Sequence, residues 1–338
     1  MVTRERPTLE AVARRAGVSR ATVSRVVNGS PTVSDSIREA VNQAVTELGY
    51  VPNHAARSLV TQRTDSIALI LPETPNRVFS DDVFFPAIIR GVSLELEAVD
   101  KQLVLMMTAT TAGRDRVERY AMANHVDGVM IASMHGADPL PGHLARLGIP
   151  VVCSGRPMAQ TAARVPYVDV DQLGGVAAAV RHLVRTGRRR IATIAGPQDM
   201  VPGIDRLAGY RAALHEADRP THIAVGDFTR ESGAQAMRHL LDNDPHLDAV
   251  FVASDLMAHG ALQTLRATGR RVPYDVAVVG FDDIEISRYS DPPLTTVRQP
   301  IVELGRTMAR QLLALVNGDD DIPPSTVLPT ELVVRQSA

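Results

Sequence analysis

The sequence predicts an all-α amino-terminal head followed by an α/β body of two parallel-sheet lobes. Three short stretches with helical apolar spacing lie before residue 50. From Ser66 onward, continuously apolar runs alternate with amphipathic ones, the pattern of parallel strands covered on both faces by helices. That second part, roughly 275 residues, is long for one such sheet and predicts two.

In the head, Thr8 is placed to cap a helix carrying Leu9, Val12, Ala13 and Ala16 on one face, and Gly17 to end it. Ser19 can cap a second helix with Val23, Val26 and Val27 inward, broken by Gly29-Ser30-Pro31. Ser34 starts a third, whose stripe is Ile37, Ala40, Val41, Ala44, Val45 and Leu48, ended by Gly49. Two helices joined by a short turn containing Gly cross steeply, and the third closes a small core: a helix-turn-helix. The second helix leaves Arg20, Ala21, Ser24 and Arg25 off its buried face. Arginines near the start of such a helix can bind guanine O6 and N7 bidentately in a major groove. Ser19 and Thr22 suit phosphate contacts, which position without reading sequence.

In the body, strands are expected at 67–71, 103–108, 128–132, 151–154, 191–195, 249–253 and 276–280, with a last one around 326–334. Helices are expected at 86–100, 173–186, 206–217, 232–242, 256–268 and 304–318. Ligands of open α/β sheets collect at the carboxyl ends of strands. Asp282 and Asp283 fall just past 276–280, Ser254 and Asp255 just past 249–253, and Arg206 in the loop after 191–195. Polar groups from three strand ends therefore converge. Asp283 and Asp255 read as loop or helix-cap carboxylates.

Charge is unevenly placed. The net charge is −2, yet residues 1–64 carry nine arginines against five acids, a net of +4, leaving −6 on the remainder. A basic head on an acidic body suits a polyanion-binding module joined to a non-binding one. Catalytic signatures are absent. The ten histidines show no H-x-x-x-H or H-E-x-x-H spacing, and there is no G-x-S-x-G, P-loop or G-x-G-x-x-G. Asp282 and Asp283 are adjacent on a loop and diverge, so they do not form an acid/base pair. Cys153 stands alone at the end of an apolar strand, which excludes an internal disulfide and a Cys-rich zinc site. No cofactor, metal or catalytic residue is assigned. With no apolar run near the ~18 residues of a membrane span and no signal-peptide region, a cytoplasmic protein is expected.

The strings AGVSRATVSRVVNG (16–29), VS (33–34), LGYVPN (48–53) and AARSL (55–59) resemble the LacI/GalR family of bacterial regulators. GP…DRLAGY (196–210), ASDLMAHGAL (253–262), VAVVGFDDI (276–284) and DPPLTTVRQP (291–300) extend the resemblance over essentially the whole chain. It implies a DNA-binding set of Thr8, Ser19, Arg20, Ala21, Thr22, Ser24, Arg25 and Asn28. It also implies a hinge helix begun by Asn53, with Leu59, and Ala56 beside it, wedged into the minor groove at the centre of the site. The body would resemble periplasmic sugar-binding proteins, with Arg206 and Asp282 holding an effector and Phe84, Phe85, Ser254 and Gln299 around them. Many family members have Asn where this chain has Ser254, so that contact would be shorter or water-mediated. A carboxylate, an arginine fork and an aromatic face suit a small polyol.

The expected organisation is a DNA-binding domain over 1–52, a hinge over 53–64 and an effector-binding, dimerising core over 65–338. Within the core, lobe 1 would span 65–168 and 300–328, and lobe 2 would span 169–297 and 329–338. The expected partners are a near-palindromic double-stranded operator, a small-molecule effector, most simply a sugar, and a second copy of the chain, with higher oligomers possible and no membrane. The expected output is repression of carbohydrate-utilisation genes, relieved by the sugar. A non-sugar effector such as a nucleobase corepressor, and a sugar-modifying enzyme fused to a DNA-binding head, are the alternatives.

Overall fold

A computed structural model describes residues 7–27, 32–50, 63–159, 165–319 and 321–338. The chain divides into two compact units at Thr64/Asp65. Asn28, Asn53, Ala56 and Leu59 lie outside the described residues.

The head contains helices Leu9–Ala16, Arg20–Val27 and Asp35–Leu48. Thr8 Oγ1 accepts the Ala11 amide, and Gly17 (φ 68°) ends the first helix in the left-handed conformation that glycine adopts without penalty. Ser19 Oγ accepts the Thr22 amide at 3.1 Å, opening the second helix. Ser34 stands at the N-cap of the third helix but makes no side-chain cap bond. Val12, Val23 and Val41 are completely buried at the centre, each stabilising the unit by ~1.5–3 kcal/mol. Tyr50, not foreseen in the apolar pattern, closes the same core, whereas Ala40, placed on the inner stripe, is exposed.

The body holds two six-stranded sheets. The first comprises β1 (Ser66–Leu71), β2 (Gln102–Met107), β3 (Gly128–Ile131), β4 (Val151–Ser154), β5 (Tyr167–Val170) and β11 (Ser325–Leu328), all parallel in the order β11-β5-β4-β3-β1-β2. The second comprises β6 (Ile191–Ala195), β7 (His222–Val225), β8 (Ala249–Val252), β9 (Ala277–Asp282), β10 (Thr295–Arg298) and β12 (Glu331–Val333), ordered β12-β10-β9-β8-β6-β7. Here β12 runs antiparallel to β10 at the edge. Apolar clusters cover both faces of each sheet, which is why the central strands carry no alternation. The chain passes between sheets after β5, after β10 and after β11. The first passage follows Val170, so a lobe boundary at 168/169 falls inside a strand. The third splits the single strand expected at 326–334 in two, because Pro329 and Thr330 carry the chain from one sheet to the other.

After the second passage, helix Ile301–Val316 lies against helix Phe84–Glu97 in lobe 1. Glycines set their separation: a Cβ on Gly91 would come within 2.1 Å of the Val302 carbonyl oxygen, and one on Gly305 within 2.4 Å of that of Ile88. This close seat fixes the chain immediately after Gln299, at the carboxyl end of β10.

Candidate functional site

Between the sheets, at the carboxyl ends of their strands, lies a cleft of about 960 Å³ including the open solvent at its mouth. The structure brings Phe84, Phe85, Arg206, Ser254, Asp282 and Gln299 together on its walls.

The lobe-2 wall is built around Arg206. This side chain was expected on a loop but sits in the second turn of helix Val201–Glu216, which starts earlier because Pro202 is tolerated in a first turn. Arg206 is buried, its guanidinium 3.7 Å from the centroid of the Phe281 ring. Its Nε donates to Gln172 Oε1 at 2.8 Å, and its Nη1 to the Ala253 carbonyl at 2.5 Å and to Asp282 Oδ1 at 3.5 Å. Burial works against its charge, and the carboxylates of Asp282, Asp169 and Asp255 support it. Asp282 ends β9 rather than following it, with φ 120°, a backbone conformation that costs energy for any residue but glycine. Gln299 Nε2 donates to Asp282 Oδ1 at 2.6 Å. Burial pushes the Asp282 carboxyl up; Arg206 pulls it down and Asp82 adds to the rise.

Ser254 caps helix Asp255–Ala267, its Oγ accepting the Met257 amide at 3.2 Å, which leaves its hydroxyl proton available to the cleft. Asp255 faces inward: it accepts from Thr296 Oγ1 at 2.6 Å and from the Ile284 amide at 3.0 Å, fully buried. Asp283 anchors Arg298 and Arg335. Neither lines the cleft, in keeping with carboxylates that organise loops. Cys153 is buried, and desolvation pushes its thiol upward, away from a reactive thiolate.

The lobe-1 wall mixes apolar and charged groups. Phe85 is 1% exposed and packs in the lobe-1 core while touching the cleft; Phe84 meets it edge-on at 5.5 Å. Arg77, Asp82, Ser133, Arg156 and Asp169 complete this side, and Gln172 joins from the first passage between lobes. None of these six was singled out in the sequence. Gln172 bridges Arg206 to Asp169, donating to Asp169 Oδ1 at 3.1 Å. Its position at the start of an expected helix was the one available signal.

Ion pairs join the lobes around the mouth. Arg156 makes a two-pronged pair with Asp205, and Asp81 pairs with Arg230. Arg77 Nη1 donates to the Asp227 carbonyl at 3.2 Å. His135 lies between Glu73 of its own lobe at 3.1 Å and Asp199 of the other at 2.8 Å. The hydrogen bond to Glu73, against desolvation and with help from Asp199, raises His135 from 6.5 to about 9.

In the head, Ala21 and Arg25 are exposed on the second helix, with Thr22 and Ser24 half-buried beside them. Ser19 and Thr22 hydroxyls bond each other at 2.9 Å. Arg20 forms an exposed pair with Glu10 at 3.1 Å, a contact of ~0–1 kcal/mol that a nucleic-acid phosphate or base can displace.

A helix-turn-helix head on a body that holds a polar cleft between two lobes defines a ligand-sensing, DNA-binding class of protein. Residues 8–53 match the model of bacterial regulatory proteins, lacI family, and residues 180–338 match the periplasmic binding protein-like domain. The chain is 50% identical over 340 residues to the HTH-type transcriptional regulator CelR of Thermobifida fusca, covering 100% of both. A solved CelR–cellobiose complex is 48% identical, covering 98% of this chain and 100% of the other, at a TM-score of 0.78. The Lac repressor dimer bound to operator and the anti-inducer ONPF is 29% identical, covering 98% and 99%, at a TM-score of 0.85. The chain belongs to the LacI family of bacterial regulatory proteins.

Proposed function

We propose that the chain is a repressor of carbohydrate-utilisation genes that binds a near-palindromic operator as a homodimer and releases it when a neutral saccharide fills the cleft. One observation carries the choice of ligand: each of the three arginines lining the cleft is already matched by a carboxylate, Arg77 by Asp82, Arg156 by Asp205 and Arg206 by Asp282. A phosphorylated or carboxylated ligand would find no unspent positive charge there, whereas hydroxyls can both donate to the carboxylates and accept from the amides. The half-buried Phe84 ring offers an apolar surface to a sugar face. The relative solved with cellobiose makes that disaccharide the first probe.

In this reading the chain performs no catalysis and acts in the cytoplasm on chromosomal DNA. Thr8, Ser19, Arg20, Ala21, Thr22, Ser24, Arg25 and Asn28 form the DNA-binding set, with Ser19 and Thr22 on phosphates and Arg20 and Arg25 on base edges, and Asn53, Ala56 and Leu59 form the minor-groove hinge. Ligand shifts the DNA-competent population because it binds the two lobe arrangements with different affinity; equal affinity would shift nothing.

Titration of the operator-bound protein with cellobiose, with glucose 6-phosphate and with a nucleobase tests the reading by fluorescence anisotropy. Release by the neutral sugar alone is expected; release by the phosphate or by a nucleobase alone would overturn it. Leu59→Ala should weaken operator binding far more than binding to unrelated DNA, and equal losses would remove the wedge role.

A further inference from the structure

The side-chain contacts that tie the lobes together at the cleft mouth differ in one respect. Those of Arg156 with Asp205, Arg230 with Asp81 and Arg77 with the Asp227 carbonyl rest on arginine, which stays charged at any physiological pH. His135 rests on a group whose charge changes near neutrality. It lies in the loop after β3, and its neighbours Met134 and Gly136 line the cleft.

Both ring nitrogens of His135 meet carboxylates, one from each lobe. Nδ1 is 2.8 Å from Asp199 Oδ2, in the loop after β6, and Nε2 is 3.1 Å from Glu73 Oε1, in the loop after β1. Ser133 Oγ donates to the same Glu73 oxygen at 2.7 Å, and the Arg77 charge supports the Glu73 carboxylate. The Gly136 amide donates to the Asp199 carbonyl at 2.6 Å, so this one loop meets lobe 2 twice. Glu73 and Asp199 are the charged groups facing the ring, with Arg77 behind Glu73; among the described contacts, no cation meets the ring itself.

A neutral imidazole has one N–H and one lone pair. Placed between two carboxylates, it donates to one and turns its lone pair on the other. The doubly protonated ring donates to both, and only that form joins the lobes. With the lobes joined, the ring keeps its proton up to about pH 9; parted from Asp199, it falls back toward its ordinary 6.5. Between those values, rising pH therefore favours parting.

We propose that His135 is a proton-operated clasp between the lobes: doubly protonated, it bridges Glu73 and Asp199 and holds the cleft mouth shut, so that closure on an effector takes up a proton.

Calorimetric titration of the full-length protein with cellobiose at pH 8, in two buffers of different ionisation enthalpy, counts the protons exchanged. Asp199→Asn removes the lobe-2 carboxylate and leaves His135, Glu73 and the cleft walls in place. Asp282, raised to about 7, also titrates in this range but is the same in both proteins, so their difference belongs to the clasp. The unmodified protein should take up roughly half a proton more per site than Asp199→Asn. Equal exchange by the two proteins overturns the proposal. A second readout needs no ligand: ring NMR of the histidine-labelled protein, with the His135 signal identified by its loss in His135→Gln. A titration midpoint near 9 is expected, lowered by about one pH unit in Asp199→Asn. A midpoint near 6.5 in the unmodified protein overturns the clasp. Cellobiose is the probe that the saccharide reading supplies; if it fails to bind, that reading fails and the ring titration alone decides the clasp.

Discussion

The lobe-2 wall of the cleft is held by hydrogen bonds among its own residues, whereas the lobe-1 wall depends on a surface segment that reaches across to its partner. On the lobe-2 side, Arg206 is buried, stacked on Phe281 and bonded to Gln172, Ala253 and Asp282, while Gln299 holds Asp282 from the next strand. Asp282, Gln299 and Ala253 lie at strand ends whose backbone is fixed by the sheet, and Arg206 projects from a helix packed on that sheet. On the lobe-1 side, the segment carrying Arg77, Asp81 and Asp82 is tied down by contacts with Asp227 and Arg230 of lobe 2. One wall is held within its own lobe; the other is held by contacts between the lobes. Groups placed by a sheet need no ligand to order them, and groups placed by interlobe contacts gain or lose their position with lobe closure.

The largest expected effect breaks the finished wall. Arg206→Ala leaves Asp282 and Asp255 without the charge that compensates their burial, and should destabilise the body by about 3–5 kcal/mol, read by chemical denaturation. A loss below about 1 kcal/mol would mean that the lobe-2 network is not a prebuilt unit. Asp282→Ala should cost ligand affinity about a hundredfold by calorimetric titration while ligand-free operator binding stays near normal. A loss below about threefold would mean that the lobe-2 wall does not hold the ligand.

The smallest effect concerns the interlobe contact at His135. Its pKa is raised to about 9, so the stabilisation is fully present below about 6.5 and is lost as pH rises through about 9. His135→Gln should lower stability by about 1–2 kcal/mol at pH 6, a figure discounted because the ring is half-exposed, and the difference should vanish by pH 10. Melting curves of both proteins across that range would show it; a gap that persists at pH 10 would assign the effect to packing.

The same contrast explains what was legible in the sequence. Arg206, Ser254, Asp282 and Gln299 were readable because strand ends and motif strings place them in the chain. Arg77, Asp82 and Arg156 were not: their segments have no apolar periodicity, and only the approach of the second lobe gives them meaning. In the fold, the long apolar strands at 67–71 and 191–195 were plain. β5, β7 and β10 were missed because each is four residues long and carries polar side chains, Asp169 in the first, His222 in the second, and Thr295, Thr296 and Arg298 in the third. Phe85 both packs in the lobe-1 core and lines the cleft.

The central claim is that a neutral saccharide held at Asp282 weakens the grip of the head on its operator. Operator anisotropy with cellobiose, on the unmodified protein and on Asp282→Ala side by side, measures it most directly. The expected result is release of the unmodified protein and an unchanged DNA complex for Asp282→Ala. Release of both by the same sugar concentration would contradict it.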